Sequence, residues 1–205
     1  MNVTYSELRT RARHSLQGNW GKSVLALIVY GLVGFLIGLL DLIPVVGYII
    51  QLLTSGALSL GLIIFFVGIA RQEGPPISEI FGGFSHFIKA FCVYFFMTLF
   101  TVLWSLLLII PGIIAYLSYS QAYYILQDNP DIGALEAIRR SKQLMKGRKW
   151  KFFVLNLTFI GWALLALLTF GIGFLWLSPY IFVTQAHFYD EITGRTTPPP
   201  HPDSF

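Results

Sequence analysis

The chain has 205 residues, of which 12% carry charge, against roughly 25% in a soluble globular domain. With 55% hydrophobic residues and a mean hydropathy of +0.67, it is too apolar for a disordered chain or for a monomeric soluble domain, which lacks the interior to hide such side chains. A single cysteine excludes a disulfide framework and a cysteine-based zinc site. A net charge of +4 and a pI near 9.2 would raise nucleic-acid binding in a soluble protein, but here the basic residues flank apolar spans. Membrane orientation accounts for them, and no nucleic-acid partner is expected.

At the N-terminus, Thr4-Tyr5-Ser6-Glu7 is a capping box, with Val3 and Leu8 at hydrophobic-staple positions. A helix from about Tyr5 to Gln17, closed by Gly18, aligns Tyr5, Leu8, Ala12 and Leu16 on one stripe with Arg9 and Arg13 beside it. That pattern predicts an interfacial helix lying on the inner leaflet. The segment does not read as a signal peptide, because its charged region is too long and no small-residue cleavage pattern follows.

A transmembrane helix needs about 20 mostly apolar residues. Six segments qualify or come close: Ser23 to Leu40, Val45 to Ala70, Ala90 to Ile110, Ile113 to Gln127, Phe152 to Phe170, and Gly173 to Tyr189. The fourth and sixth are short, so they cross almost untilted, thin the bilayer, or enter without crossing. The breaks inside each pair are Asp41-Leu42-Ile43-Pro44, Pro111-Gly112 and Gly171-Ile172-Gly173, where Pro and Gly stop a helix. The expected fold is therefore all-α: six transmembrane helices arranged as three tight hairpins, each preceded by an amphipathic interfacial helix.

The connections between hairpins hold nearly every charge. Arg9, Arg11, Arg13 and Lys22 precede the first span, and Arg71 and Lys89 bracket the second connection. Arg139, Arg140, Lys142, Lys146, Arg148, Lys149 and Lys151 fill the third, and Arg195 lies in the tail. Six crossings put all fourteen basic residues on one side, which the positive-inside rule makes cytoplasmic together with both termini; Asp41 is then the sole charge outside. In the third connection, Asn129 is a candidate N-cap, Pro130 suits the first helical position, and Ile132, Leu135, Ile138 and Met145 form an apolar stripe that Gly147 can close. Ser78-Glu79-Ile80-Phe81 suggests a shorter copy in the second. The expected organisation is one membrane domain over residues 1–192, with internal repeats at about 4–72, 73–128 and 129–192, followed by a Pro-rich disordered tail at 193–205.

Leu-Leu-Ile-Ile-Pro-Gly-Ile-Ile-Ala-Tyr-Leu-Ser-Tyr-Ser-Gln-Ala-Tyr-Tyr-Ile-Leu-Gln-Asp-Asn spans Leu107 to Asn129. Together with Glu136-Ala137-Ile138, Ser141, Leu144-Met145-Lys146-Gly147, Phe159-Ile160-Gly161-Trp162 and an early Gly18-x-Trp20, it resembles the bacterial integral membrane family catalogued as domain of unknown function 975. The resemblance runs from about Leu8 to Glu191. It implies a bacterial plasma-membrane protein and carries no catalytic residues to transfer.

Strongly polar groups inside the spans are few. Gln121 and Gln185 stand at matching places in the fourth and sixth spans, suited to helix-to-helix hydrogen bonds or to a polar cavity. His187 lies three and four residues before Asp190 and Glu191, which suits a neutral or acid-paired histidine better than a metal site. Gly34-x-x-x-Gly38 and Ala57-x-x-x-Gly61 are small faces for close helix packing, within the chain sooner than between chains. The basic cluster Arg139 to Lys151, with Arg9 and Arg13, is the candidate contact for anionic lipid. No nucleophile-base-acid set, phosphate loop or nucleotide fingerprint is present, so neither an enzymatic activity nor a cofactor is expected. The leading expectation is a non-enzymatic membrane protein engaging membrane lipids or other membrane proteins at the inner leaflet; a small-solute or lipid transporter, or a transport accessory subunit, is the alternative.

Overall fold

The computed structural model describes residues 3–195, and of these the side chains of Asp41, Pro44 and Leu107 are not described; the expected disordered tail falls almost wholly outside this range. Within it every regular element is helical, as expected. In chain order these are α1 (Tyr5–Leu16), α2 (Trp20–Gly38), a 3-10 turn (Leu39–Leu42), α3 (Pro44–Ala70), a 3-10 segment (Ile77–His86), α4 (Phe87–Leu107), α5 (Ile109–Tyr119), α6 (Ala122–Asp128), α7 (Ala134–Leu144), α8 (Lys149–Leu157), α9 (Ile160–Leu168) and α10 (Phe174–Thr193). Four stretches are long and apolar enough to cross a membrane: Trp20–Gly38, Val45–Ala70, Ile77–Leu106 and Lys149–Leu168. They correspond to the first, second, third and fifth sequence segments.

α3 is the central post. It packs against α1, α2, α4, α6, α10 and the 3-10 segment. Its second half is buried from Gly56 to Ala70 apart from Ser59 and Ile64, whereas most of its first half faces outward. The close approach comes from small residues. A Cβ on Gly61 would overlap the Ile80 carbonyl oxygen, and one on Gly83 would overlap the Ala57 carbonyl oxygen, so the two backbones meet directly. Ala57 and Gly61 thus form the packing face that their spacing suggests. In lipid, such van der Waals contact drives helix association, because hydrophobic burial alone offers little between apolar surfaces.

Several expectations are corrected. Gly34 and Gly38 are exposed, and a Cβ on either would meet nothing within 4 Å, so this face does not pack within the chain. The second reversal falls at Leu108, extended at φ −164° and ψ 149°, and not at Pro111-Gly112. Pro111 instead sits in the first turn of α5, where its missing N–H costs nothing. Asn129 does not begin α7 but caps the end of α6, donating through Nδ2 to the Ile125 carbonyl, and Gly133 precedes α7. The stripe of α7 rotates accordingly: Ala134, Ala137, Ile138, Ser141 and Met145 are buried, whereas Leu135 is exposed.

α1 begins at the expected cap, with Thr4 Oγ1 accepting from the Glu7 N–H at 3.3 Å, although the Glu7 carboxylate pairs forward with Arg11 at 2.6 Å. Its stripe of Leu8, Ala12 and Leu16 is fully buried, against α10 and α3. The apolar face therefore turns into the protein, not into a leaflet. α10 offers it a matching apolar surface, with Leu8 joining Phe188 and Ile192 in one cluster.

Candidate functional site

The C-terminal ends of α3, α6 and α10 converge on a buried charge cluster. Arg71 follows the last residue of α3, Asp128 ends α6, and Asp190 lies in the last turn and a half of α10. The guanidinium forks onto both acids. Nη1 donates to Asp128 Oδ1 at 2.9 Å and Nη2 to Asp128 Oδ2 at 3.3 Å, while Nη2 and Nε reach Asp190 Oδ1 and Oδ2 at 2.7 and 3.3 Å. Asp128 Oδ2 also accepts from Tyr189 Oη at 2.9 Å and pairs with Arg195 at 2.8 Å.

Both acid side chains are nearly inaccessible, at 5% and 2% exposure. A carboxylate at a helix C-terminus opposes the dipole there, so Asp128 is held by its pairings and not by its helix. Burial disfavours charge on Arg71, but its hydrogen bonds to Asp190 and Asp128 outweigh it and raise the guanidinium above its ordinary pKa. The planar fork of Arg suits two carboxylates at once, which a Lys ammonium cannot match.

α1 is tied to this clasp. Ser15 Oγ donates to the Ala70 carbonyl at 3.3 Å and shares a 3.0 Å hydrogen bond with His187 Nε2. His187 is buried, and its partner is Ser15 and not the neighbouring acids. Glu191 instead pairs with Lys151 at 2.8 Å and accepts from the Val3 N–H at 3.2 Å.

Gln121 and Gln185 are not brought together. Gln121 sits fully buried at the break between α5 and α6, where Ser141 of α7 acts as a staple: its hydroxyl accepts from the Gln121 N–H at 3.1 Å and donates to the Ser118 carbonyl at 2.8 Å. The Gln121 side chain reaches only its neighbour, Nε2 donating to Ser120 Oγ at 3.0 Å. Gln185 joins two helices, Nε2 donating to Asn156 Oδ1 of α8 at 2.9 Å.

Of the basic candidates, Arg139 and Arg140 pair with half-exposed Glu136, and Lys151 pairs with Glu191. Glu136 is held below the usual carboxylate range, first by its hydrogen bond from Arg140. Arg9, Arg13, Lys142, Lys146, Arg148 and Lys149 have no acidic partner among the described residues. Arg13 borders an apolar groove of about 400 Å³ together with Trp20, Trp162 and Trp176. Among the described residues, no group of three or more His, Cys, Asp or Glu is placed to hold a metal ion.

The chain matches the family model described as protein of unknown function (DUF975) over residues 1–118 and 106–196. It belongs to this family. No curated protein and no solved structure matches it. The DUF975-like stretch from Leu107 to Asn129 contains the Leu108 reversal, the α5–α6 break and Asp128 of the clasp. Ser141, another of the residues carrying that likeness, is the staple across the break. The familiar sequence therefore surrounds a broken helix, its repair and one arm of the ion-pair cluster.

In the sequence Arg71 reads as a flanking charge, Asp128 as one residue of the Leu107–Asn129 stretch and Asp190 as a neighbour of His187, so the clasp is not apparent there. A cue exists: Arg71, Asp128 and Asp190 each lie at or near the C-terminal end of a helix, α3, α6 and α10.

Proposed function

We propose that the chain crosses a bacterial plasma membrane six times as three hairpins, with both termini cytoplasmic, and that it is a non-enzymatic protein engaging anionic lipid headgroups at the inner leaflet. The supporting observation is the set of basic residues without an acidic partner among the described residues, above all exposed Lys142, Lys146 and Arg148 and the groove-lining Arg13. Near an anionic surface each such residue contributes roughly 1 kcal/mol. An arginine lining an apolar, tryptophan-rich groove suits a lipid with a charged head and an apolar chain. The clasp fits a role as the joint holding three hairpin ends and α1 together on that side.

Immobilised protein offered liposomes will retain anionic vesicles more than zwitterionic ones. Replacing Lys142, Lys146 and Arg148 with Gln should lower the anionic affinity by about fivefold per residue, and salt should do the same. Equal retention of both vesicle types sinks the reading. Single Cys probes at Asp41, Asn129 and Ser204 in a Cys92→Ala background test the topology: outside labelling is expected at Asp41 alone, and labelling at Ser204 would require an odd number of crossings.

A further inference from the structure

A cavity of about 750 Å³ opens between α2, α3, α4, α5, α6, α8 and α10, within the range of about 300–1,000 Å³ seen for small-molecule sites. Its lining contains no Asp, Glu, Lys, Arg or His. Apolar and aromatic walls dominate, and polar atoms come from hydroxyls such as Tyr30 and Tyr94 and from the Asn156–Gln185 pair. That pair is used in one direction only. Gln185 Nε2 donates to Asn156 Oδ1 and Asn156 Nδ2 donates to the Phe152 carbonyl at 2.8 Å, leaving Gln185 Oε1 as an acceptor without a partner among the described residues. Tyr123, 8% exposed, lines the same cavity, and its hydroxyl is buried without a hydrogen-bond partner. An unpartnered hydroxyl in such surroundings has lost its hydration uncompensated, so a ligand that satisfies it gains affinity in return. Ser120, at the α5–α6 break, also borders the space.

We propose that this cavity binds an uncharged, hydroxyl-bearing lipid, its hydroxyl hydrogen-bonding at Tyr123 and Gln185 and its chain lying along the aromatic and methionine wall. A phosphorylated headgroup finds no cation in the lining and would lose its hydration uncompensated. A ligand without a hydroxyl would leave Tyr123 unsatisfied. Diacylglycerol and long-chain prenyl alcohols share the required chemistry.

The test uses the full chain in nanodiscs of zwitterionic lipid, with fluorescent dioleoylglycerol, a fluorescent polyprenol and fluorescent dioleoyl phosphatidic acid as probes. Saturable binding of either neutral alcohol, about tenfold tighter than phosphatidic acid, is expected, and whichever binds identifies the source. Tyr123→Phe removes only the unpartnered hydroxyl, so it should keep the fold and weaken neutral-lipid binding by about fivefold. Met97→Trp, which fills the space, should abolish binding while circular dichroism stays unchanged. Binding should survive Gln substitution of Lys142, Lys146 and Arg148, which separates it from attraction to the basic rim. Equal binding of the charged and neutral probes, no saturable binding of either alcohol, or indifference to Tyr123→Phe and Met97→Trp in folded protein overturns the proposal.

Discussion

The two ends of α3 lie in different worlds. From Gly56 to Ala70 the helix is almost entirely enclosed, touching the Ile80 backbone through Gly61 and stacking Phe66 on Phe182 at 4.9 Å before ending on the Arg71 clasp. Toward its start, Val45 is 72% exposed and Leu42 just before it 86%; at the last reversal, Phe170 is wholly exposed. The enclosed end is held by specific contacts among distant residues. The open end is held by short reversals, with its apolar side chains left exposed. Sheer hydrophobicity therefore distinguishes nothing along this helix, and the difference lies in small residues and paired charge.

The largest effect that separates the two ends should come from Arg71→Met, which strands the buried Asp190 carboxylate and leaves Asp128 only Tyr189 and Arg195. Removing one partner of a buried ion pair costs about 3–5 kcal/mol, and the loss should be visible as a lowered melting temperature in detergent. Arg71→Lys should fall between wild type and Arg71→Met, because an ammonium cannot fork onto both acids. If Arg71→Met melts like wild type, the clasp is not what holds this end together.

Next comes Gly61→Ala, whose methyl would overlap the Ile80 carbonyl, with a cost of about 1–3 kcal/mol expected. Gly34→Ala and Gly38→Ala, with open space at each Cβ, should be neutral or slightly stabilising in the same assay. Reversal of that order would contradict the packing described. Ser141→Ala removes one hydroxyl that serves both sides of the α5–α6 break, stranding the Gln121 N–H and the Ser118 carbonyl, at about 1–3 kcal/mol. Hydrogen exchange should report it locally, with faster exchange around residues 118–125 than at α2. The smallest effect is expected at Glu136, where both ion pairs are solvent-exposed: Glu136→Gln should shift melting by an amount close to measurement error.

Individual elements show how far the sequence could be read. The four longest apolar stretches and the helix cap at Thr4 were legible, because length, hydropathy and capping chemistry are local properties. The Ala57–Gly61 face was legible too, yet the identical argument misplaced Gly34 and Gly38, since spacing says that a helix can be approached closely and not by what. α1 and α7 were readable as amphipathic, but whether an apolar stripe meets lipid or protein depends on the neighbours that folding supplies. His187 had acids nearby in sequence, and the fold gave it Ser15 from 172 residues away.

What the sequence determined by itself is a membrane-compatible chain of helices with its charge gathered in the connections, because hydropathy and helix punctuation act over a few neighbouring residues. Only the tertiary structure decided that Arg71, Asp128 and Asp190 form one cluster, that Ser141 mends a broken helix, and that Gln121 and Gln185 serve separate places. Those pairings join residues far apart in the chain, and a buried charge or amide chooses its partner by the geometry of packed helices, which no local pattern encodes.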